Sequence, residues 1–505
     1  MKTQMNKLRA IPVLLILALA VCGITLSEKP ADLRGLSYKH LDANNIRTAV
    51  WNVGMFDREN MGLAGFNWPK DSNSYAVYFS GLWVSCKAGD SIRVSEAYYN
   101  THFRQGYFDY ATQTPKGFDD SLYRIYKVSP QFPNGDGQET DPWSKWPVNQ
   151  GAPWVDVNGN GTYEPPADYP VMKGDQNLFC VFNDGYRDSL SALRSTLPLR
   201  AEVHLYAYSR ANQPCADAVH YEWKIINKGR SLWTDFSAAI FSDIDLGTSN
   251  NDLGGTDSAL GLVYGYNGTA TDPVYGPNPP SVGIVVSSAE GHSANRADFA
   301  TRWRCPFDCP TDSLEHYRVL HGFRPDGSSW VNPYTNQQTK FSFSGNPVTQ
   351  SGWRDSLPGE RYVTIGSIFG NVPPLDTIQF KTTSFIKRGT SNLNSIAELK
   401  NCVNSVISVK QNESQIPSEF TLHQNYPNPF NPVTTITYEL KRPGMVLLNV
   451  YDITGRQVAQ LVNEAQPTGQ YRIVFSGEGL SSGVYLYELS IDNKNKTARK
   501  MLLVR

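Results

Sequence analysis

The chain has no excess of charge of either sign. Its 505 residues include 46 Lys and Arg against 47 Asp and Glu, which gives a formal net charge of −1 at pH 7. A protein that binds nucleic acid through general electrostatic attraction carries a clear excess of basic residues. The composition therefore predicts neither a nucleic-acid partner nor general attraction to an anionic membrane.

Motifs of common enzyme classes are missing as well. There is no H-E-x-x-H zinc motif, no G-x-S-x-G nucleophile elbow and no glycine-rich phosphate loop after a predicted strand. The closest approach to a nucleophile elbow begins at Gly291 but ends in Asn295. We therefore predict no catalytic residue, and the sequence leans towards a non-enzymatic protein.

Long hydrophobic runs are scarce, and the clearest one lies near the start. The uncharged run Ile11–Ile24 follows a basic stretch that contains Lys2 and Arg9. It is too short for a transmembrane helix, which needs about 20 apolar residues. This order is typical of a secretory signal, which we expect to occupy residues 1–26 and to be cleaved, leaving no transmembrane segment. A membrane anchor and lipid attachment at Cys22 are the alternatives.

Cysteine is sparse, with seven in the whole chain. Removal of the signal leaves six, and an even number in an exported protein favours disulfides, although their pairing is left open. Cys305 and Cys309 are close enough for a local bridge, but no second Cys/His pair nearby favours a zinc site. Buried free thiols are the alternative.

Aromatic and turn-forming residues, in contrast, are abundant. Aromatics make up 12% of the chain, with 40 Gly and 32 Pro, and this balance favours β structure with many turns. Residues 201–209 and 220–229 alternate in the manner of half-buried antiparallel strands. We predict a mostly-β, sandwich-like body at 36–408, as one unit or two packed subdomains. Long loops are expected at Ser129–Asp175 and Gly247–Ser281.

Helical signals are few. Residues 391–407 carry Ile396, Leu399 and Val403 at helical spacing, which predicts one helix at the end of the body. The polar, aperiodic residues 409–419 are predicted to form a linker. Six or seven short strand signals then follow in residues 420–505, which predicts a small β-sandwich.

The final module carries a series of motifs in a fixed order. They are Y-P-N-P-F-N-P (426–432), T-T-I-T-Y-E-L (434–440), V-Y-D-I-T-G-R-Q-V (450–458), S-S-G-V-Y-L-Y-E-L (481–489) and a basic–apolar last strand. The series resembles the type A C-terminal sorting domain of the type IX (Por) secretion system. The residues that carry the resemblance are Tyr426, Pro427, Asn428, Pro429, Phe430, Asn431, Pro432, Gly455, Gly483, Tyr485 and Lys500.

The resemblance implies a route of export. The chain would enter the periplasm through its signal and then cross the outer membrane of a Gram-negative bacterium with the type IX machinery as partner. It would end at the cell surface or outside the cell, either released or attached to surface lipopolysaccharide. The module itself is expected to be an Ig-like sandwich. Because proline fixes φ and lacks an N–H, residues 426–432 are predicted to form a stiff lead-in that packs Tyr426 and Phe430 on the sandwich.

One acidic loop of the body is similar to a calcium loop. Side-chain oxygens stand at the first, third and fifth positions from Asp156, and Gly161 is the sixth, as in the first half of an EF-hand loop. The twelfth position is Ala167, so a different carboxylate would have to complete the site. The alternative is a turn held by side-chain-to-backbone hydrogen bonds. The predicted ligands are Asp156, Asn158, Asn160, Glu164 and Asp168.

A second acidic loop spans residues 241–257. Like charges at this density repel one another unless they are solvated or bridged by a cation. Solvated turns are one alternative, and a glycosidase pair is another, since such pairs stand about 5–5.5 Å or 6.5–9.5 Å apart. We predict a calcium-stabilised loop. The predicted ligands are Asp243, Asp245, Asp252 and Asp257.

The combined interpretation is a secreted or cell-surface protein whose body is structural or adhesive, with calcium-ordered loops. A glycan-binding or glycan-cleaving body is the alternative, because exposed tryptophans stack on sugars; we expect most of them to be core instead. A catalytic body predicts two carboxylates in a deep cleft with aromatic walls. A structural body predicts acidic loops at the ends of sheets. The tryptophans concerned are Trp68, Trp83, Trp143, Trp146 and Trp154.

Overall fold

The computed structural model describes residues 35–504 in several stretches, and the chain divides into two compact units between residues 407 and 408. We call the first unit the body and the second the tail. The predicted signal at residues 1–26, with Cys22, lies outside the described residues. The undescribed internal residues are 61–62, 100, 131–140, 187–196, 212–214, 216, 290–296, 304–308, 415–419, 424, 426, 441–443, 453, 468 and 492–494.

The described part of the body is built mainly from β-strands, which confirms the predicted class. The described residues form two α-helices, α1 (Ser313–Val319) and α2 (Asn392–Ser414). The strands are β1 Tyr38–Leu41, β2 Arg47–Trp51, β3 Met55–Phe56, β4 Arg58–Asn60, β5 Leu63–Ala64, β6 Phe66–Asn67, β7 Tyr75–Val77, β8 Phe79–Ala88, β9 Ser91–Glu96, β10 Arg104–Gln105, β11 Tyr107–Asp109, β12 Thr114–Lys116, β13 Tyr126–Val128, β14 Trp154–Val155, β15 Tyr169–Pro170, β16 Gln176–Asn183, β17 Ala201–Ser209, β18 Ala218–Asn227, β19 Trp233–Ile244, β20 Asp252–Asp257, β21 Leu262–Asn267, β22 Thr271–Asp272, β23 Gly276–Pro277, β24 Ser281–Ala289, β25 Phe299–Trp303, β26 Trp330–Asn332, β27 Gln337–Thr339, β28 Arg361–Val372 and β29 Thr377–Lys387.

Two large antiparallel sheets carry the body. The first has ten strands in the order β25-β28-β19-β8-β3-β2-β6-β7, with β1 on β2 and β9 on β8. The second has nine strands in the order β10-β16-β17-β18-β29-β24-β21-β20, with β13 on β16. One buried apolar core contains residues of both sheets, and the ring of Phe56 lies 4.4 Å from that of Tyr221 across it. The body is therefore a β-sandwich.

The alternating strands pack as their patterns predict on the inner side. Tyr221, Trp223 and Ile225 of β18 enter the core, whereas Glu222 stays near the surface. The outer side of β17 differs from the half-buried prediction, because nearly all of that strand is buried on both faces. Its outward residue Tyr206 joins a second apolar cluster, which the long segment after β13 covers with Trp146 and its neighbours.

The prediction of a long loop at Gly247–Ser281 is wrong. Strands β20 and β21 form in it and pair in register from Asp252↔Asn267 to Asp257↔Leu262. Glycines suggested a loop, but Gly254 and Gly255 lie inside β20, where Arg302 and Tyr264 side chains leave no room for a Cβ atom. Close packing, rather than a turn, explains these two glycines.

Helix α2 confirms the predicted helix and extends beyond it. Ile396, Leu399 and Val403 are fully buried in a cluster on the second sheet. The helix continues to Ser414, so residues 409–414 of the predicted linker are helical. Residues 392–414 contain no glycine or proline, and Pro417 is the next residue that would break the helix.

The cysteines take both predicted forms. Cys215, before β18, and Cys402, in α2, form a disulfide with a Cα–Cα distance of 5.5 Å. Cys309 is also disulfide-bonded, while Cys305 lies outside the described residues. Cys86 and Cys180 are buried free thiols.

The tail is a separate sandwich of seven described strands. They are β30 Phe420–Leu422, β31 Val433–Leu440, β32 Gly444–Asp452, β33 Gln457–Gln466, β34 Gly469–Ser476, β35 Gly483–Ile491 and β36 Asn495–Leu503. A three-stranded sheet (β30-β31-β34) and a four-stranded sheet (β33-β32-β35-β36) share one apolar core. Ile436, Tyr438 and Leu440 enter this core together, as their alternation predicts. The Ig-like character of the sandwich stays a prediction.

Within the described residues, no helix is both long enough and apolar enough to cross a membrane.

Candidate functional site

Three carboxylates from two distant parts of the body lie together, and we call them the carboxylate trio. Asp243 belongs to β19, Asp245 follows that strand, and Glu360 directly precedes β28. The antiparallel pairing of β19 with β28 sets Ile244 opposite Arg361, which brings the three acidic residues to the same end of the sheet. One ligand atom from each lies within 4.8 Å of the others.

The trio runs from the interior to the surface. Asp243 is only 4% exposed, Asp245 is half-buried and Glu360 is exposed. The Tyr99 hydroxyl donates a hydrogen bond to Oδ2 of Asp243, and the Ser249 hydroxyl donates to Oε1 of Glu360 at 2.9 Å. The Oδ1 atoms of Asp243 and Asp245 are buried and accept no hydrogen bond from any described residue. Such buried oxygens are costly unless a proton or a cation satisfies them.

The proton affinities of the trio reflect this burial. Burial, followed by the charge of Asp245, raises the pKa of Asp243 well above its usual range. Burial, followed by the charge of Glu360, raises the pKa of Asp245 to about 7. Near neutral pH the site therefore favours bound positive charge, as protons or as a cation.

A nearby arginine is engaged elsewhere. Nε of Arg361, the neighbour of Glu360, donates to Oδ2 of the buried Asp355 at 2.7 Å, and Arg302 donates to Oδ1 of that carboxylate at 2.6 Å. Because Arg361 is paired with Asp355 in this buried Arg–Asp–Arg arrangement, its guanidinium does not neutralise the neighbouring Glu360. The trio thus presents carboxylate oxygens, which are the ligands that calcium and other hard cations prefer.

Tyrosines surround the carboxylate trio. Tyr362 faces Asp243 across the β19–β28 register, and Tyr99 donates to Asp243 as described. Burial, and then the charge of Asp243, raises the pKa of both hydroxyls. Burial, and then the charge of Asp245, also raises the pKa of Tyr75. All three phenols are half-buried and keep their protons at neutral pH.

The other two predicted ligands of this loop are not in the trio. Asp252 is buried and accepts hydrogen bonds from the Leu246 N–H at 3.0 Å and from Nδ2 of Asn267 at 3.2 Å. Asp257 forms an ion pair with Lys400 of α2 at 2.9 Å. These carboxylates fasten the two ends of β20, and neither offers a ligand atom to the group formed by Asp243, Asp245 and Glu360.

The loop that is similar to a calcium loop is tied by its own side chains. Asp156 accepts hydrogen bonds from the backbone N–H groups of Gly159, Asn160 and Gly161 at 2.6–3.2 Å. Asp168 accepts from the backbone of Val157 at 3.0 Å and of Glu164 at 2.8 Å. This is the pattern of the turn alternative, and calcium binding here stays a prediction. The amides of Asn158 and Asn160 donate to Oε2 of Glu164 at 3.2 and 2.9 Å.

Sequence reasoning missed Glu360. It stands in P-G-E-R-Y, 115 residues after Asp245, with no acidic neighbour or ligand spacing around it. Its place in the site depends on the pairing of β19 with β28, which has no local sequence signal. The sequence offers one signal, which is that Glu360 directly precedes a stretch rich in β-branched and aromatic residues at 361–372.

In the tail, the proline-rich segment covers the edge of the last strand. Phe430 donates through its N–H to the Leu502 carbonyl at 2.9 Å and accepts from the Val504 N–H at 3.0 Å. The Leu502 N–H donates to Oδ1 of Asn428 at 2.8 Å, and Phe430 is only 2% exposed beside Phe475. A free edge of β36 would invite pairing with other chains, so this segment closes it.

The remaining motif residues define the tail's turns and core. Gly455 has φ +80° in the turn between β32 and β33, a conformation that glycine adopts without strain. The Tyr485 hydroxyl donates to the Ser481 carbonyl at 2.9 Å, and the Tyr487 hydroxyl donates to the His423 carbonyl at 2.8 Å. Lys500 lies on β36 opposite Leu486, and Gly483 opens β35. Tyr426 lies outside the described residues.

Comparison with known families agrees with this geometry. Residues 424–504 match the family model of the secretion system C-terminal sorting domain. This match covers the tail and does not extend into the body. The tail is a type IX secretion sorting domain, which directs its protein to the cell surface or the extracellular space through the type IX machinery.

Comparison with solved structures gives weak likenesses. A polysaccharide lyase has a TM-score of 0.17 at 8% identity, with 84% of this chain and 46% of that chain covered. Latent dimeric PorU from Porphyromonas gingivalis has a TM-score of 0.16 at 10% identity, with 62% of this chain and 32% of that chain covered. A mutarotase-like protein (YeaD) from Salmonella typhimurium has a TM-score of 0.21 at 10% identity, with 74% of this chain and 100% of that chain covered. The chain thus spans less than half the length of the first two, and TM-scores this low establish no shared fold. Curated proteins give no match.

Proposed function

We propose that the body is an extracellular structural or adhesive domain in which calcium, bound by Asp243, Asp245 and Glu360, fastens the end of β19 to the start of β28. The observation that carries the proposal is the pair of buried Oδ1 atoms of Asp243 and Asp245, to which no residue in the described part of the chain donates a hydrogen bond. A cation between the three carboxylates satisfies both atoms and offsets their mutual repulsion.

Calcium suits the expected location as well as the ligands. Extracellular calcium modules bind with dissociation constants of about 10⁻⁴–10⁻³ M, and calcium outside cells reaches such concentrations. The acidic loop at residues 156–168 is a second, weaker candidate, since its carboxylates already accept backbone hydrogen bonds. Attachment of the exported protein to surface lipopolysaccharide belongs to the same proposal and rests on the tail alone.

Thermal unfolding of the full-length protein with calcium and with chelator tests the proposal. At 10 mM calcium, a site of that affinity adds about 1.5–3 kcal/mol of stability, which raises the melting temperature of the body by roughly 2–5 °C. Glu360→Gln should remove most of this rise. Glu398→Gln, on the exposed side of α2, is the matched control and should keep it.

The outcome separates two interpretations. A melting temperature that does not respond to calcium in the unmodified protein would contradict calcium binding. A response that persists in Glu360→Gln would place the ion elsewhere, with the 156–168 loop as the next candidate. Hydrolysis or elimination of polysaccharide by the purified protein would favour the glycan-cleaving alternative over a structural body.

A further inference from the structure

The carboxylate trio leaves part of a calcium ion's coordination open. Calcium takes six to eight oxygen ligands, and the trio supplies one ligand atom from each of three side chains, or a few more where a carboxylate binds through both oxygens. Asp243 lies at the buried end and Glu360 at the exposed end. The open positions of a bound ion therefore face the surface near Glu360.

The charge balance at this surface favours a neutral ligand. Three carboxylates exceed the charge of one calcium ion by one negative unit, so a phosphate or carboxylate ligand would meet net repulsion. Hydroxyl groups carry oxygen donors without charge. A pair of neighbouring hydroxyls on a sugar ring supplies two such donors to one ion, which fits a site with at least two open positions.

Half-buried tyrosine rings stand beside the same surface. The Tyr99 hydroxyl donates to Asp243, Tyr362 faces Asp243 across the β19–β28 register, and the Tyr75 carbonyl accepts from the N–H of Gly247, two residues after Asp245. Tyr362 rests on Phe241, with ring centroids 5.8 Å apart and the planes at 20°. Aromatic rings with one apolar face and one polar tip are suited to the C–H face and hydroxyls of a sugar.

We propose that the calcium-loaded trio binds a neutral glycan, whose vicinal hydroxyls complete the coordination of the ion while Tyr362 and its neighbouring tyrosines contact the sugar ring. The inference rests on the proposed function, because it requires calcium in the trio. It assigns an adhesive role to the end of the first sheet, at the surface formed by Tyr75, Tyr99, Asp245, Glu360 and Tyr362.

A glycan array with the full-length protein tests this inference. We expect retention on neutral glycans in 10 mM calcium, at least about 10-fold lower retention in EDTA, and competition by free mannose, galactose or fucose. Glu360→Gln should behave like EDTA, whereas Glu398→Gln should not. No retention on any glycan in calcium, with calcium binding demonstrated by calorimetry, would overturn the inference while leaving the proposed function intact.

The ring contact needs its own variants. Tyr362→Ala should lower glycan retention about 10-fold while the calorimetric calcium affinity stays within about 2-fold. Tyr334→Ala, at a turn where the tyrosine is 69% exposed, is the matched control and should change neither quantity. If Tyr362→Ala unfolds, the unmodified protein still decides: because linkage is reciprocal, saturating free sugar should tighten calcium binding by roughly 5-fold. A calcium affinity that is unchanged by saturating sugar overturns the inference. If the protein binds no calcium at all, the proposed function is overturned as well.

Discussion

The body and the tail differ in how far apart in sequence their strand partners lie. In the tail, β32 pairs with β33 and β35 pairs with β36, and in both cases the partner is the next strand along the chain. In the body, β8 pairs with β19 about 150 residues later, and β19 pairs with β28 more than 100 residues after that. Local pairings can be inferred from alternation and turns, whereas distant pairings depend on the whole fold.

The same difference separates their functional residues. The motif residues of the tail lie within a compact sandwich that closes its own edge with Asn428 and Phe430. The carboxylate trio of the body exists because two distant strands meet. The tail should therefore behave as a self-sufficient module, and the body's site should respond to any change in long-range pairing or bound cation.

The largest expected effect is a loss of stability that is confined to the tail. Phe430→Ala removes a ring that is 2% exposed and should lower the stability of the tail by about 3–5 kcal/mol. All 11 tryptophans lie in the body, between Trp51 and Trp353, so tryptophan fluorescence reports the body and not the tail. We expect the fluorescence transition to be unchanged while proteolysis of the tail accelerates.

The control for this prediction is Val474→Ala, because Val474 is 66% exposed in the same sandwich. It should leave both units unchanged. A shift of the tryptophan transition in Phe430→Ala would show that the body depends on the tail, and the comparison between the two units would then fail.

A smaller effect is the pH dependence of the body's stability, to which the buried carboxyl of Asp57 contributes. Asp57 is 1% exposed, and burial raises the pKa of its carboxyl to about 7. Because the folded state holds this proton more tightly than the unfolded state, stability is present at low pH and is lost as pH rises towards 7. Between pH 5 and 8 the contribution amounts to about 2–3 kcal/mol.

Asp57→Asn should therefore flatten the pH dependence of denaturant unfolding, read by tryptophan fluorescence between pH 5 and 8. The amide is a near match in size and keeps an acceptor for the Thr48 hydroxyl, which donates to Oδ1 of Asp57 at 2.7 Å. An unchanged slope in the variant would mean that Asp57 titrates near its ordinary pKa in the folded protein.

The smallest effect compares the two acidic loops of the body. Asp245→Asn should reduce the calcium-dependent rise in melting temperature, which is on the order of 2–5 °C. Asp156→Asn should cost about 1 kcal/mol equally with calcium and with EDTA, because Asp156 accepts backbone hydrogen bonds. A larger loss of the calcium response in Asp156→Asn than in Asp245→Asn would reverse the assignment of the site.

The tail was predictable almost to the residue. The motif at 434–440 falls in the strand Val433–Leu440, and most of the motif at 481–489 falls in the strand Gly483–Ile491. Clean alternation such as that of Ile436 and Tyr438, short connections and turn residues such as Gly455 made this possible. These signals all act within a few residues of one another.

The body was predictable in class but not in detail. Glycines inside β20 indicated a loop, although packing against Arg302 and Tyr264 explains them. Asp243 and Asp245 were proposed as ligands from local acidity, but Glu360 was missed because no local pattern connects it to them. Charge density identifies a candidate site, and tertiary pairing decides which residues form it.

The most direct test of the account is the location of the body in cells that possess a type IX secretion system. A chain that ends at Ser414 should accumulate in the periplasm, while the full-length protein and its Val474→Ala variant reach the surface or the medium, as judged by protease access to intact cells. Tryptophan fluorescence of the purified truncated chain should show the body still folded. Appearance of the truncated chain outside the cell at the full-length level would contradict the assignment of residues 420–505 as the export signal.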